Sequence, residues 1–142
     1  MDRTKKVQVL VYSMNSEPEF LVLKTIPRPE SFWQNVTGAV EDDETLEDAA
    51  YRELKEETGI DREMVLELRK LFSFRYRDGR DMDVEESVFS AEVRKGTPVD
   101  LSKNVYPEHE TFRWCSAPDA ENLMKWETNS RAVKMVMENV KK

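Results

Sequence analysis

Two short apolar runs open the chain. Val7 to Ser13 (VQVLVYS) and Phe20 to Thr25 (FLVLKT) are rich in β-branched and aromatic residues and predict strands, joined by the polar connection MNSEPE. A turn-rich stretch, IPRPES, follows, and then FWQNVTG. Leu46 to Thr58 predicts a helix, with Leu46, Ala49 and Ala50 on one side. Thr45 is placed to cap it, with Asp48 three residues on in a capping-box pattern, and Gly59 is a C-terminal stop. Leu71 to Arg77 alternates as a strand, Asp78-Gly79 signals a hairpin turn, and Val84 to Val93 predicts the next strand. Thr111 to Cys115 predicts a short strand. Ser116-Ala-Pro-Asp opens a helix with Pro118 near its first position. Asn129 to Val140 carries Ala132, Val133, Val136, Met137 and Val140 at helical spacing and predicts a closing amphipathic helix. There is no internal repeat, low-complexity tract or linker. The order predicts an α/β fold: a mixed sheet with helices on both faces.

Composition narrows the class. A chain of 142 residues argues for one domain, 1–142. No apolar run approaches the ~20 residues of a membrane span. The start, MDRTKKVQVLVYS, lacks the apolar stretch and cleavage site of a secretory signal. One cysteine, Cys115, excludes an intrachain disulfide, and with one histidine, His109, the chain cannot build a Cys/His zinc site of the usual kind. The expectation is a cytoplasmic protein, monomer or homodimer, that binds neither membrane nor nucleic acid.

The charge has a local origin. Between Glu41 and Glu57 there are nine acids and two bases, which accounts for the whole net charge of −7. An acidic chain is a poor general binder of phosphate backbones. One acidic focus on a neutral background looks like a cation site, against the alternative of a solvated acidic helix. At about 100° per residue, Glu53, Glu56 and Glu57 share one arc of about 100° with Leu46, Ala49 and Ala50, while Glu47, Asp48, Tyr51 and Lys55 lie opposite. Three half-buried carboxylates this close repel one another, raising their own pKa values or destabilising the helix. Two arrangements relieve that: an ion-pair network with Arg52, or a divalent cation. Oxygen ligands on a helix face suit Mg²⁺, with Mn²⁺ as a substitute. Gly38 and Gly59, two of only four glycines, bracket this segment, and Gly38 suits a tight turn or close approach to a ligand.

Residues 38–60, GAVEDDETLEDAAYRELKEETGI, resemble the Nudix box. Gly38, Glu44, Arg52, Glu53, Leu54, Glu56, Glu57, Gly59 and Ile60 match every fixed position of that motif. The resemblance implies a single Nudix hydrolase domain with an α/β/α sandwich, which hydrolyses a nucleoside diphosphate linked to another group. It implies that Glu53, Glu56 and Glu57 hold Mg²⁺, joined by a backbone carbonyl at Thr37–Gly38. Arg52 and Glu44 would support them, and a further acid outside the box would serve as ligand or base. Glu108, in the run Tyr-Pro-Glu-His-Glu, is the first candidate, with Glu110 and Glu86 behind it.

The flanks bear on the substrate. Ser31-Phe-Trp-Gln-Asn-Val-Thr-Gly resembles the run before the box in enzymes that hydrolyse dihydroneopterin triphosphate and related nucleoside triphosphates. Glu108-His109 through Trp114, Ala117-Pro118, and Trp126 with Asn129 to Arg131 resemble the same group. The implied reaction releases a monophosphate and pyrophosphate from a small-molecule substrate. Trp33, Phe32 and Trp126 are candidates to stack on a base or pterin, and Lys24, Arg28 and Arg131 to meet phosphates. His109 is a candidate to orient a phosphate, with a structural role as the alternative. Cys115 is expected to be a buried small hydrophobe. The competing substrate class is diadenosine polyphosphates, since Tyr76 lies close to a tyrosine typical of that branch. A non-catalytic ligand-sensing module is a further alternative, but such domains usually lose box glutamates, and all are present here.

Overall fold

The computed structural model describes residues 4–140. In chain order the strands and helices are β1 (Thr4–Met14), β2 (Pro18–Thr25), β3 (Trp33–Gln34), β4 (Val36–Ala39), α1 (Leu46–Thr58), β5 (Val65–Arg77), β6 (Asp83–Val93), β7 (His109–Cys115), α2 (Ala117–Leu123) and α3 (Glu127–Val140). The strands form one sheet in the order β3-β2-β1-β6-β5, with β4 also pairing β1 and β7 also pairing β2. β1 and β6 run parallel from Thr4↔Val84 to Ser13↔Val93, and the other pairings are antiparallel, so the sheet is mixed.

The central strand β1 explains the layers. Alternate residues of a strand face opposite sides of the sheet. Val7, Val9 and Val11 pack against Ala49, Ala50 and Leu54 of α1. Leu10 and Tyr12 pack on the other side with Ala120 of α2 and Ala132, Val133 and Val136 of α3. Both faces of β1 are therefore buried, which is why VQVLVY reads as an apolar run broken only by Gln8. The three layers are the expected α/β/α sandwich. Cys115 is buried in the second core as expected, and burial pushes its thiol up to about 11.

Helix α1 has the expected bounds because both ends are chemically fixed. Thr45 Oγ1 accepts the Asp48 amide at 3.0 Å, while the Asp48 carboxylate engages Arg62 at 3.0 Å. Gly59 takes a left-handed φ of 75° and returns its N–H to Lys55 O. Thr45→Ala should cost about 1 kcal/mol. Thermal melting should show it as a Tm about 3–4 °C lower, and an unchanged Tm would rule out a working cap.

Several expectations shift, β7 for one beginning at His109 rather than Thr111. FWQNVTG, read only as a stretch after a turn, contributes β3 and β4, too short for a periodicity signal. β5 begins at Val65 rather than Leu71. It is an edge strand with two register shifts against β6, so its charged residues Glu67, Arg69 and Lys70 face outward and hide the alternation. α3 begins two residues before Asn129. The β5–β6 hairpin is present, but its turn spans Asp78–Met82: the Asp78 carboxylate accepts the Arg80 and Met82 amides at 2.9 Å, and Asp81 rather than Gly79 takes positive φ.

Candidate active site

Arg52 organises the acidic segment. Its guanidinium grips Glu44 with two bonds, Nε to Oε2 at 2.7 Å and Nη2 to Oε1 at 3.0 Å. Nη2 also donates to the Ala39 carbonyl at 2.8 Å, and Nη1 to Glu53 Oε1 at 2.8 Å and Glu56 Oε2 at 3.2 Å. A planar fork with several donors is what such convergence needs, and lysine cannot replace it. Arg52 thus ties the end of β4, the acidic loop and α1 into one unit. The loop is folded for the purpose: Asp43 takes φ 66°, and Glu44 Oε1 accepts the Glu41 amide at 2.9 Å. The Arg52 bond holds the Glu44 carboxyl below its ordinary range and raises the guanidinium's own pKa.

The three glutamates of α1 separate into two kinds. Glu53 and Glu57 are buried, whereas Glu56 is half exposed and drawn toward Arg52, off the apolar arc where helical spacing places it. Burial raises Glu53, partly offset by Glu57 and Arg52. It pushes Glu57 well above the carboxylate range, and the charges of Glu53 and Glu108 add to the rise. Neither Glu57 oxygen has a hydrogen-bond partner. An orphaned, buried carboxylate is a costly arrangement that calls for an ion or another explanation. Gly38 forms the cradle: a Cβ there would overlap the Glu53 carboxylate. As they stand, no three acid, His or Cys side chains among the described residues converge into a finished cation cage. The donor set still fits a hard divalent cation, which needs oxygens and accepts water in the remaining positions.

Around this pair, Glu108 is exposed and close enough to act on Glu57 electrostatically; its backbone carbonyl accepts the Ile26 amide at 3.0 Å. His109 is 5% exposed. Its Nε2 lies 2.9 Å from Gln34 Nε2 and its Nδ1 3.4 Å from Glu57 Oε1. Burial lowers its pKa to about 4, so the ring is neutral near pH 7.

A cleft of about 600 Å³ meets the acids at Thr37, next to Gly38. Its wall carries Phe74 and Tyr76, whose rings stack at 5.5 Å, and Trp126, which is 51% exposed and edge-on to Phe32. Its floor is polar. Gln8 donates to Glu86 Oε2 at 2.8 Å and accepts from Asn35 at 2.7 Å and Asn129 at 2.9 Å, and Tyr76 OH donates to Glu86 Oε1 at 2.9 Å.

The structure thus brings together Glu44, Arg52, Glu53, Glu57, Gly38, Thr37 and Glu108, joins the half-exposed Glu56 to them through Arg52, and places Trp126 on the cleft. Trp33 lies off the cleft lining, packed against the second core, with its carbonyl accepting the Lys125 amide at 3.3 Å. Lys24 also lies off it: its ammonium turns to Glu110 on β7, 3.4 Å away, which occupies that acid too. Arg28 sits in an exposed turn before a cis Pro29, and Arg131 lies over the Phe72 ring at 4.0 Å. Sequence reading missed Gln8 and the Gln34–His109 contact, and met Asn35 and Asn129 only inside runs of resemblance, without a role for either. The one signal was polar Gln8 inside an apolar strand.

The NUDIX domain family pattern matches residues 3–136. The chain belongs to the Nudix family. Over 149 aligned residues this Nudix chain is 30% identical to the dihydroneopterin triphosphate diphosphatase of Escherichia coli strain K12, covering 96% of this chain and 94% of that one. The solved E. coli dihydroneopterin triphosphate pyrophosphohydrolase has a TM-score of 0.77 at 28% identity, covering 95% of each chain. A C. elegans Ap4A hydrolase complex reaches 0.79 at 22% identity over 96% of this chain and 97% of its own, a likeness of fold.

Proposed function

We propose that this Nudix hydrolase cleaves a pyrophosphate bond in a pterin or nucleoside triphosphate, releasing the monophosphate and pyrophosphate. The observation that carries the reading is the buried, unpartnered Glu57 beside Glu53, where the helix meets the cleft at Thr37–Gly38. The relative at 30% identity, matched nearly end to end, supports the substrate class.

Glu53, Glu56 and Glu57 would hold Mg²⁺, or Mn²⁺ in its place, with the Thr37 carbonyl and Glu108 as further ligands. When bound, the cation neutralises the pyrophosphate and lowers the pKa of a bound water. Arg52 and Glu44 fix the direction of the Glu53 and Glu56 carboxylates. Glu108, solvated and beside Glu57, is suited to take the proton of the attacking water. Phe74, Tyr76 and Trp126 offer ring faces to a planar base or pterin, replacing Trp33 in that role. The working place of such an enzyme is the cytoplasm, and among the described residues no helix is long and apolar enough to cross a membrane.

A second reading, diadenosine polyphosphate hydrolysis, is favoured by one observation: Tyr76 lines the cleft. The test is turnover of dihydroneopterin triphosphate, dNTPs, diadenosine tetraphosphate and ADP-ribose in Mg²⁺, with products resolved. Monophosphate plus pyrophosphate from a triphosphate is expected. Orthophosphate as the sole inorganic product rejects the proposal, and efficient dinucleotide cleavage promotes the second reading.

Trp126→Ala should raise KM for the best substrate about ten- to a hundredfold, the cost of one lost stacking face, and leave the metal requirement unchanged. An unaltered KM in a variant with wild-type circular dichroism removes Trp126 from the site.

A further inference from the structure

We infer that His109 is a positioning residue: Gln34 locks its ring in the Nδ1–H tautomer, and that proton is aimed at Glu57 Oε1 to fix the carboxylate for cation binding. The inference rests on the proposed cation site, and its geometry is independent of substrate.

Gln34 presents its amide nitrogen to His109 Nε2 at 2.9 Å. An amide nitrogen only donates, so Nε2 must be the lone-pair nitrogen and the single ring proton sits on Nδ1. The other end of the ring gives the same answer. Nδ1 faces Glu57 Oε1 at 3.4 Å, and a carboxylate that ligates a cation is ionised and only accepts. The reversed arrangement, with the Gln34 oxygen taking an Nε2 proton, would set the Nδ1 lone pair against a carboxylate oxygen. His109 is 5% and Glu57 3% exposed, so no bulk water would screen that repulsion.

The local fold aims the ring. His109 opens β7 opposite Thr25, at a register shift in the β2–β7 pairing. A bulge re-aims a side chain, and His109 is buried while the four residues after it are exposed. Neither Glu57 oxygen makes a hydrogen bond of full geometry; the Thr37 backbone and the Glu53 carboxyl approach it, and the His109 ring is aimed at Oε1. At 3.4 Å the His109 contact is long for a hydrogen bond, and it would shorten to one if the carboxylate turned toward the ring on ligating a cation. Outer partners of this kind set a ligand's direction, and their loss typically costs about 10–100-fold in metal affinity.

His109 is the chain's only histidine, so imidazole ¹⁵N spectra of the wild-type protein at neutral pH report this ring alone. A protonated Nδ1 with a bare Nε2 is expected. The Nε2–H tautomer, or a doubly protonated ring, overturns the inference. Calorimetric titration with Mg²⁺ or Mn²⁺ alone tests the consequence. His109→Leu should weaken binding about 10–100-fold. His109→Asn, whose amide nitrogen falls where Nδ1 was, should recover most of it. His109→Gln, whose nitrogen falls where Nε2 was, should not. Wild-type cation affinity in His109→Leu, or equal affinity in the Asn and Gln variants, overturns the positioning role and leaves the cation site standing. Absence of cation binding by the wild-type protein removes that site and this inference together.

Discussion

Glu57→Gln should leave the chain folded, raise its Tm in metal-free buffer at neutral pH, and lower kcat in Mg²⁺ by about a thousandfold. The two effects share one cause. Glu57 is nine-tenths or more out of water with neither oxygen bonded. Its negative charge therefore opposes folding when no cation is present, and a neutral amide of the same shape relieves most of that opposition. The pH dependence carries a definite sign. Burial raises the folded pKa of Glu57 above the ordinary 4.5. Between 4.5 and the raised value the folded chain keeps a proton that the unfolded chain has lost, so this group's contribution to stability falls as pH rises through that window. The Tm advantage of Glu57→Gln should accordingly be small near pH 4.5 and grow toward neutral pH. Mg²⁺ should reverse the order, because it stabilises the folded wild type by binding it, and the amide is a poorer ligand. The kinetic loss corresponds to ~4 kcal/mol of transition-state stabilisation, in the range expected for losing a charged ligand of a catalytic cation. Differential scanning calorimetry across pH, with and without Mg²⁺, and steady-state kinetics provide the checks. Near-wild-type kcat in the variant removes Glu57 from the metal site. A lower metal-free Tm at neutral pH shows that the carboxylate has a partner.

The parts of this molecule that were legible in its sequence are those fixed by local rules. Helix α1 was readable to the residue because Thr45 and Gly59 end it chemically, and two of its acids, Glu53 and Glu57, are buried where a merely solvated helix would not place them. The layering followed from the order of elements. β5 was half hidden because an edge strand can carry Glu67, Arg69 and Lys70 on exposed positions, so alternation no longer marks burial. The cleft was legible least. Gln8, Asn35, Glu86 and Asn129 come from four separate elements or connections, and Gln8 is 121 residues from Asn129. Only the sheet's register and the docking of α3 make them one polar floor. Trp33 and Trp126 were equal stacking candidates in the sequence, although Trp33 follows Phe32 and Trp126 sits between Lys125 and Glu127. They diverge because Trp33 belongs to a strand whose side chain packs inward on the second core, while Trp126 precedes α3 and stays open to the cleft. Lys24 likewise reads as a free cation until β7 brings Glu110 alongside it.

Gly38→Ala isolates the geometry of the acids from their chemistry, since it leaves every carboxylate in place. The glycine is not needed for a left-handed backbone: it sits in β4, paired with Val7, and is absent from the positive-φ residues. It is needed for space. An alanine Cβ would occupy the position of the Glu53 carboxylate. That carboxylate is the free end of a flexible side chain, so it can swing aside at modest cost, and the fold should survive with only a small change in Tm. The swing breaks the 2.8 Å bond from Arg52 and removes Glu53 from the side of Glu57. A displacement of about 1 Å in a catalytic group commonly costs on the order of a hundredfold in rate, so kcat should fall by about that factor. Cation affinity should fall with it. Two measurements separate this mechanism from general damage. Circular dichroism and Tm should be close to wild type, and titration with Mn²⁺ alone should show weakened binding without any substrate present. If Gly38→Ala binds Mn²⁺ as the wild type does and keeps its kcat, the contact between this strand and Glu53 plays no part in the site. In that case the glycine that opens the box serves only the chain's path into the acidic loop.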